Sequence, residues 1–313
     1  MKKIKKLVLV LFVILLSSGC TKYVQKEGKN VVYQATGQTL TANILCQPEQ
    51  GDLYNLYKKN EKALSFKLNS LPLCKDYKLQ KSEFKDLWDI FVKPLSFIIL
   101  KLGYLVKNMG LSVMLIGLAI RLVMFPISKK TAAQSETMKL AQPELKKIEK
   151  KYKGKTDNES MMAKSQETMQ VYKKYKINPV SGCVLSLIQL PLFFAFLEAI
   201  NRVPAIFEDS FLGMKLGMTP WIGIFNNHNY LFVLLIALIV TSTYFSFKNT
   251  MGSQTVGEGN KQMQFMVKFM IVFIGVASLS LPTAIALYWV VTNLFAVGQN
   301  YLVKKMGEKR KEK

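Results

Sequence analysis

Met109–Ile127 reads MGLSVMLIGLAIRLVMFPI, an apolar run whose only charge is Arg121. A helix that crosses a bilayer needs about 20 mainly apolar residues. Four later stretches match that length: Pro179–Ile200, Tyr230–Phe247, Met263–Ser280 and Pro282–Val303. Only Leu281–Pro282 separates the last two, which predicts a tight helical hairpin. Half of the 313 residues are hydrophobic, a share ordinary for a soluble chain, so composition alone excludes little. Their distribution decides, because apolar residues fall in blocks and charges lie between them. The expected fold is all-α: a polytopic membrane protein of five transmembrane helices, with a helical hairpin and an interfacial helix.

The formal charge of +23 raises nucleic acid as a partner. The lysines, however, sit beside the apolar blocks, and no aromatic residues are interleaved with them for base stacking. Topology and lipid head groups account for them, with ribosomal RNA left as one partner of cytoplasmic segments. Sequence-specific nucleic-acid binding is not expected.

Lys2, Lys3, Lys5 and Lys6 precede the apolar run Leu7–Leu16, and Ser17-Ser18-Gly19-Cys20 follows. This order reads as a secretory signal over residues 1–19 with lipoprotein processing at Cys20, whose thiol would carry the lipid. Ser17 stands where an aliphatic residue is usual, and an uncleaved signal anchor is the competing reading. Residues 20–85 would then form a lipidated extracytoplasmic segment, with short β-like pieces at Asn30–Gln34 and Thr39–Leu45. Cys46 and Cys74 lie in it, where a disulfide is chemically permitted; two separate thiols are the alternative. Phe84–Lys107 carries apolar residues at helical spacing but is broken by Lys85, Lys93, Lys101 and Lys107, as suits an interfacial helix.

An external start and five spans put the C-terminus in the cytoplasm. The basic residues agree: Lys129, Lys130, Lys139, Lys146, Lys147 and others crowd the segment after span one, and Lys304, Lys305, Lys309, Arg310, Lys311 and Lys313 crowd the tail. The loop after span two holds only Arg202 at its edge and Lys215. The domain reading is therefore a five-span core over 86–305 and a basic tail over 306–313. Within the core, 129–177 reads as two antiparallel amphipathic helices around a break at Lys153–Asn158, with Pro143 starting or kinking the first. That hairpin is either a solvated connector or a docking element.

Arg121 is the most informative residue. An arginine at helix centre costs about 2.5–3.5 kcal/mol even on insertion scales. Snorkelling toward the cytoplasm works against the tilt of helical Cα–Cβ bonds. No acidic residue lies at matching depth in another span, since Glu198 is near the outer end of span two. A water-filled cavity is predicted. Gly182, Ser186 and Gln189 share one face of span two; Trp289, Thr292, Asn293 and Gln299 fall near one stripe of span five. Interhelical hydrogen-bond glue and groove lining both fit these residues. No catalytic site is expected: His228 is the sole histidine, and neither a carboxylate pair nor a phosphate loop is present in the spans. No metal or cofactor is expected. Cys183 reads as packing, as do Met263, Met266 and Met270 unless they present an adaptable apolar surface.

Four ordered motifs carry a resemblance. They are GLAIRLVMFP at Gly117–Pro126, QPELKKIEKKYK at Gln142–Lys153, YKKYKINPVSGCVLSLIQLPLFFAF at Tyr172–Phe196, and LPTAIALYWVVTNLFAVGQ at Leu281–Gln299. Together, over about Asp86 to Lys305, the chain resembles the YidC family of membrane protein insertases, and its start resembles Gram-positive members. It departs from the family at Val184-Leu185, where Leu-Pro is usual, and at Thr283-Ala284-Ile285, where a Gly follows Pro-Ala. The resemblance implies a hydrophilic intramembrane groove open to cytoplasm and lipid. Arg121 would supply its charge, with Gln189, Trp289, Ser186 and Asn293 as lining. It implies nascent membrane proteins as clients, the Sec translocon and ribosome as partners, and the bacterial cell membrane as location, with no nucleotide. A small-molecule transporter is the main rival, disfavoured by the absence of inverted repeats and acidic coupling residues in the spans. A lipoprotein receptor with a membrane anchor is the second, and five spans exceed what anchoring needs.

Overall fold

The computed structural model describes residues 21–64, 66–79, 88–178, 181–251 and 258–311. Within these, the side chains at 135, 181–190, 249–251, 258–264, 266, 304 and 306–311 lie outside the description. So do the expected signal at 1–19 and Cys20.

Helix dominates, as long apolar runs without alternating pattern require. The chain divides into two compact units. The first comprises Met1–Gly117, Ile188–Ala237 and Ala277–Trp289; the second comprises Leu118–Leu187, Leu238–Val276 and Val290–Lys313.

The first unit opens with a small folded segment. β1 (Gln25–Lys26) pairs with β2 (Lys29–Asn30) through Glu27 and Gly28, both at positive φ, the geometry of a two-residue hairpin turn. β3 (Val32–Tyr33) pairs with β4 (Gln38–Thr39). Helix α1 (Asp52–Lys59) covers them, and Val24, Leu40, Ile44, Leu53, Tyr57 and Leu68 form a shared apolar core. The Tyr57 hydroxyl accepts from Thr41 N at 3.2 Å, and burial pushes its pKa above the ordinary value. Cys46 and Cys74 are joined by a disulfide, which settles the two readings left open by the sequence.

Helix α2 (Asp89–Val106) follows, closed by Lys107 in the left-handed conformation with its N–H on Gly103 O. Helix α3 (Met109–Val123) starts at once. Asn108 Oδ1 caps it by accepting from Leu111 N at 2.8 Å, and Asp209 Oδ2 accepts from Met109 N at 2.6 Å. A carboxylate at a helix N-terminus satisfies an orphan donor and suits the helix dipole. Ser112 Oγ donates to Ile99 O at 2.6 Å, which locks α3 against α2.

After α6 (Ser181–Asn201) the chain folds into a layered turn: α7 (Pro204–Glu208), then the β5 (Ser210–Phe211) and β6 (Met214–Lys215) hairpin, then α8 (Pro220–Phe225). Thr219 N donates to Thr36 O at 2.8 Å, so the N-terminal segment rests on this turn. Gly37 makes that approach feasible. Its φ is +74°, and a Cβ there would meet Thr219 Oγ1 at 2.6 Å. The start of α11 (Thr283–Lys311) is capped on the same turn, with Thr283 N on Met218 O and Ala284 N on Leu216 O, both at 3.0 Å.

The second unit holds α4 (Phe125–Lys151) and α5 (Asn158–Lys174), with parts of α6, α9 (Leu231–Met251), α10 (Glu258–Ser278) and α11. The two helices α4 and α5 run antiparallel, with Met138, Ala141, Leu145, Val171 and Ile177 buried between them. Lys174 pairs with Glu144 at 2.6 Å and Lys151 pairs with Glu167. Asp157 caps α5, accepting from Ser160 N at 2.8 Å.

Two boundaries differ from the sequence reading, and one open alternative is narrowed. Span one was expected to continue to Ile127, but α3 ends at Val123 and the chain bends by 61°. Pro126 lies in the first turn of α4, where its missing N–H costs nothing, and it cannot prolong the helix before it. Of the two readings of Pro143, starting the helix is removed, because it lies inside α4. The break before α11 covers residues 279–282, wider than Leu281–Pro282. Among the described residues, the stretch Leu231–Lys248 in α9 is long and apolar enough to cross a membrane alone, and the bent pair α3–α4 passes together.

Candidate functional site

Arg121 and Asn293 fall in the second unit, as does Ser186; Gln189 and Trp289 fall in the first. The side chains of Ser186 and Gln189 lie outside the described residues. Arg121 sits two residues before the end of α3, its side chain half-buried. The residues around it, Ile120, Leu122 and Val123, are apolar. Asn293 is buried, and its Nδ2 donates to Thr243 Oγ1 at 2.8 Å. Thr243 is itself 1% exposed and was not singled out by the sequence. This pair ties α9 to α11 and satisfies two polar groups that an apolar interior would otherwise penalise. An interhelical hydrogen bond of this kind is one of the two readings the sequence left for Asn293.

In the first unit Trp289 lies against Phe193, ring centroids 5.7 Å apart, and Phe196 stacks on Tyr288 at 4.1 Å. These rings join the end of α6 to the start of α11. Aromatic pairs at such distances contribute about 0.5–1.5 kcal/mol beyond their area.

A second constellation in the first unit was missed. Arg202 Nη1 contacts Asp89 Oδ1 at 2.8 Å and Arg202 Nε contacts Glu198 Oε1 at 2.6 Å. Lys93 Nζ contacts Asp89 Oδ2 at 3.2 Å. All four side chains are nearly buried, Glu198 at 1% and Arg202 at 11% exposure. Two cations and two carboxylates alternate, so the cluster is formally neutral and every charge has an opposite neighbour. For Asp89, burial pushes the pKa up, but the Lys93 hydrogen bond and charge, then Arg202, hold it below the ordinary carboxylate value. The signal was legible: Asp89 and Lys93 stand four apart in α2, and Glu198 and Arg202 stand four apart at the end of α6, with Arg202 just past its last residue. Sequence could not show that the two pairs meet. Lys93, read as an interruption of an apolar face, is instead a buried member of this cluster.

Glu208 is a third group of interest. Its Oε1 accepts from Glu49 N at 2.9 Å, while Oε2 is buried with no donor among the described residues. Burial pushes its pKa up to about 7, with the Glu49 N–H opposing and the Glu49 carboxylate adding to the rise.

Residues 101–311 match the family described as 60Kd inner membrane protein, a span from α2 to the end of α11. The chain is 34% identical over 225 residues to the membrane protein insertase YidC of Oceanobacillus iheyensis, covering 70% of this chain and 84% of that protein. The chain belongs to the YidC family. The Bacillus subtilis member, membrane protein insertase MisCA, is 35% identical over 184 residues, covering 59% of this chain and 66% of that protein. A Listeria monocytogenes member, membrane protein insertase YidC 1, is 35% identical over 192 residues, 61% of this chain and 62% of that protein. The YidC-family match begins within α2, after Asp89 and Lys93, and it includes Glu198 and Arg202.

Proposed function

We propose that this chain inserts nascent integral membrane proteins into the bacterial cell membrane and assists their folding, through a hydrophilic intramembrane groove with Arg121 as its charge. Family membership supports the activity, and the observation that carries the mechanism is the place of Arg121. It stands in an apolar helix, one turn before the 61° bend that leads into the basic α4–α5 hairpin. A cation held there draws water and polar chain into the membrane plane. A client's short external segment would enter the groove and so cross less hydrocarbon, and its apolar helix would pass into lipid beside α6 and α11. Burial of that helix, roughly 25 cal/mol per Å² of apolar surface, drives the step without nucleotide. Gln189, Trp289, Ser186 and Asn293 line the groove in this reading.

The finer architecture belongs to the same proposal. Five spans follow a lipoprotein signal at 1–19, Cys20 carries the lipid, residues 21–85 lie outside, and the hairpin and basic tail lie in the cytoplasm. There they meet the nascent chain, the ribosome and the Sec translocon. The α4–α5 hairpin has the make-up of a docking element. Its outward side exposes Leu140, Met161, Met162 and Met169 among lysines, and adaptable apolar side chains beside cations fit an emerging apolar chain.

The test is depletion of the protein in its own cells, with protease accessibility of newly made single-span proteins as readout. Their outer segments should stay inaccessible, be rescued by wild type, and fail to be rescued when Arg121→Ala is combined with Gln189→Ala and Asn293→Ala. Full rescue by the combined variant would discard the charged groove. Normal insertion without any paralogue present would discard the insertase reading itself.

A further inference from the structure

The turn between α6 and α9 presents large apolar side chains to its surroundings. Leu212, Trp221, Phe225 and Tyr230 are each more than half exposed. Leu212 stands at the tip of the β5–β6 hairpin, where it and Gly213 both take positive φ. Asn-Gly is the usual choice for such a turn, and a leucine in the left-handed region is an outlier. Neither backbone preference nor contact with water accounts for it, so an apolar partner is called for. Trp221 and Phe225 stand one turn apart on α8, ring centroids 4.5 Å apart. They lie on the side of α8 opposite Gly223, which packs on Phe232 of α9: a Cβ on Gly223 would meet Phe232 Cδ2 at 2.2 Å. The small residue faces inward and the two rings face out.

This patch runs without a break into the outward face of α9. Asn229 Nδ2 donates to Gly213 O at 3.4 Å, and a Cβ on Gly213 would lie 3.8 Å from Leu231 Cδ1, so the hairpin tip meets the first residue of α9. Tyr230 comes just before it, and Leu231, Val233 and Leu234 continue the exposed apolar surface. Leu231–Lys248 is the stretch long and apolar enough to cross a membrane alone, so its first residues lie where hydrocarbon gives way to head groups. The charges fit that layer. Lys215 of β6 and Lys107 are exposed, and Asn108 Nδ2 donates to Ser210 O at 3.0 Å, which brings the Lys107 backbone beside the hairpin. The adjacent carboxylate of Asp209 is already engaged by the N–H groups of Met109 and Ser210. Tryptophan, tyrosine and long lysines beside apolar tips are the side chains that favour a membrane interface.

We propose that this turn is a phospholipid-binding rim: Leu212, Trp221, Phe225 and Tyr230 enter the top of the acyl chains, and Lys107 and Lys215 take head-group phosphates. The inference rests on reading α9 as a span; in the topology proposed above, the leaflet is the outer one. Continuity with a span favours lipid over a second protein as the cover. The rim also sets the depth of other helices. Asp209 caps α3, and the carbonyls of Leu216 and Met218 cap α11, so both helices begin at the level where the turn is held.

The experiment uses the full chain in vesicles of phosphatidylcholine and phosphatidylglycerol. The emission of Trp221 is the difference between wild type and Trp221→Phe, so that Trp88 and Trp289 cancel. A nitroxide at the top of the lipid acyl chain should remove most of that emission, whereas a nitroxide at the chain end, or iodide on both sides of the vesicle, should remove little. Labelled phosphatidylglycerol should quench more than labelled phosphatidylcholine, and Lys107→Gln with Lys215→Gln should abolish the difference. Equal quenching by the two lipids in wild type would overturn the part given to the lysines. Strong quenching by iodide without effect of the shallow nitroxide would place the turn in water and overturn the rim. Quenching by neither would mean a protein cover, and would overturn it too. Leu238→Trp, added to Trp221→Phe, reports on the span, and its emission should be lost to the chain-end nitroxide. If it is not, the span reading fails first; if it is, a negative result for Trp221 counts against the rim alone.

Discussion

Glu208 illustrates how one carboxyl group can couple an external loop to pH. It ends α7, where the helix dipole disfavours a negative charge, and its partner is a single backbone N–H from Glu49. The titratable groups whose charges it shares are Glu49, Tyr33, Tyr57 and Tyr104, none of which supplies a cation. Its folded-state pKa of about 7 lies above the ordinary value of 4.5. Folding therefore favours the protonated form. The stability this contributes is complete below the ordinary value and is lost as pH rises through about 7. Asp89 has the opposite sign, but its lowered pKa places its window below the ordinary carboxylate range. The thermal midpoint of the purified protein should thus fall between about pH 5 and about pH 8, and Glu208→Gln should flatten that fall and raise the midpoint at the alkaline end. An unchanged slope in Glu208→Gln would assign the pH dependence elsewhere. Charge type and spacing made Glu198 and Arg202 recognisable as an i, i+4 pair. The orphaned oxygen of Glu208 had no sequence signal, because burial by residues far along the chain creates it.

At the scale of elements, the α4–α5 hairpin is the part where pattern and structure agree most closely. Met138, Ala141 and Leu145 recur at three and four residues and are the ones buried. Gly154 adopts a positive φ in the polar break between the helices. The surface pairs Lys151–Glu167 and Lys174–Glu144 are exposed, so their value is small, and the buried residues hold the two helices together. Leu145→Ala should therefore cost about 2–4 kcal/mol and open the hairpin, seen as faster cleavage near Gly154 by limited proteolysis. Lys174→Ala should leave that rate nearly unchanged. Equal effects of the two would mean that charge, not packing, closes the hairpin. Where the sequence misled, proline was the cause. Apolar periodicity runs unbroken through Val123–Ile127, but backbone geometry at Pro126 ends one helix and begins the next.

For the whole molecule, the disulfide between Cys46 and Cys74 closes a separation of 28 residues and joins two attachments. Cys46 follows Leu45, which bonds Arg202, while Cys74 opens a short 3-10 turn that packs on α2. Removing both thiols by Cys46→Ser with Cys74→Ser should destabilise the external segment by about 2–5 kcal/mol. The expected readout is protease sensitivity of residues 21–79 in spheroplasts, with cleavage elsewhere unaltered. Unaltered resistance there would show that the apolar core around Tyr57 suffices without the bridge. Taken alone, the sequence determined the helical class, the hairpin and the family, because these follow from local periodicity and from ordered motifs within one chain segment. It singled out Arg121, since an arginine in an apolar run is costly wherever the chain folds. Tertiary structure alone decided that Asp89, Lys93, Glu198 and Arg202 form one buried cluster and that Cys46 meets Cys74. Those outcomes depend on which distant segments meet, and only burial in a shared, low-dielectric place turns separate charges and thiols into partners.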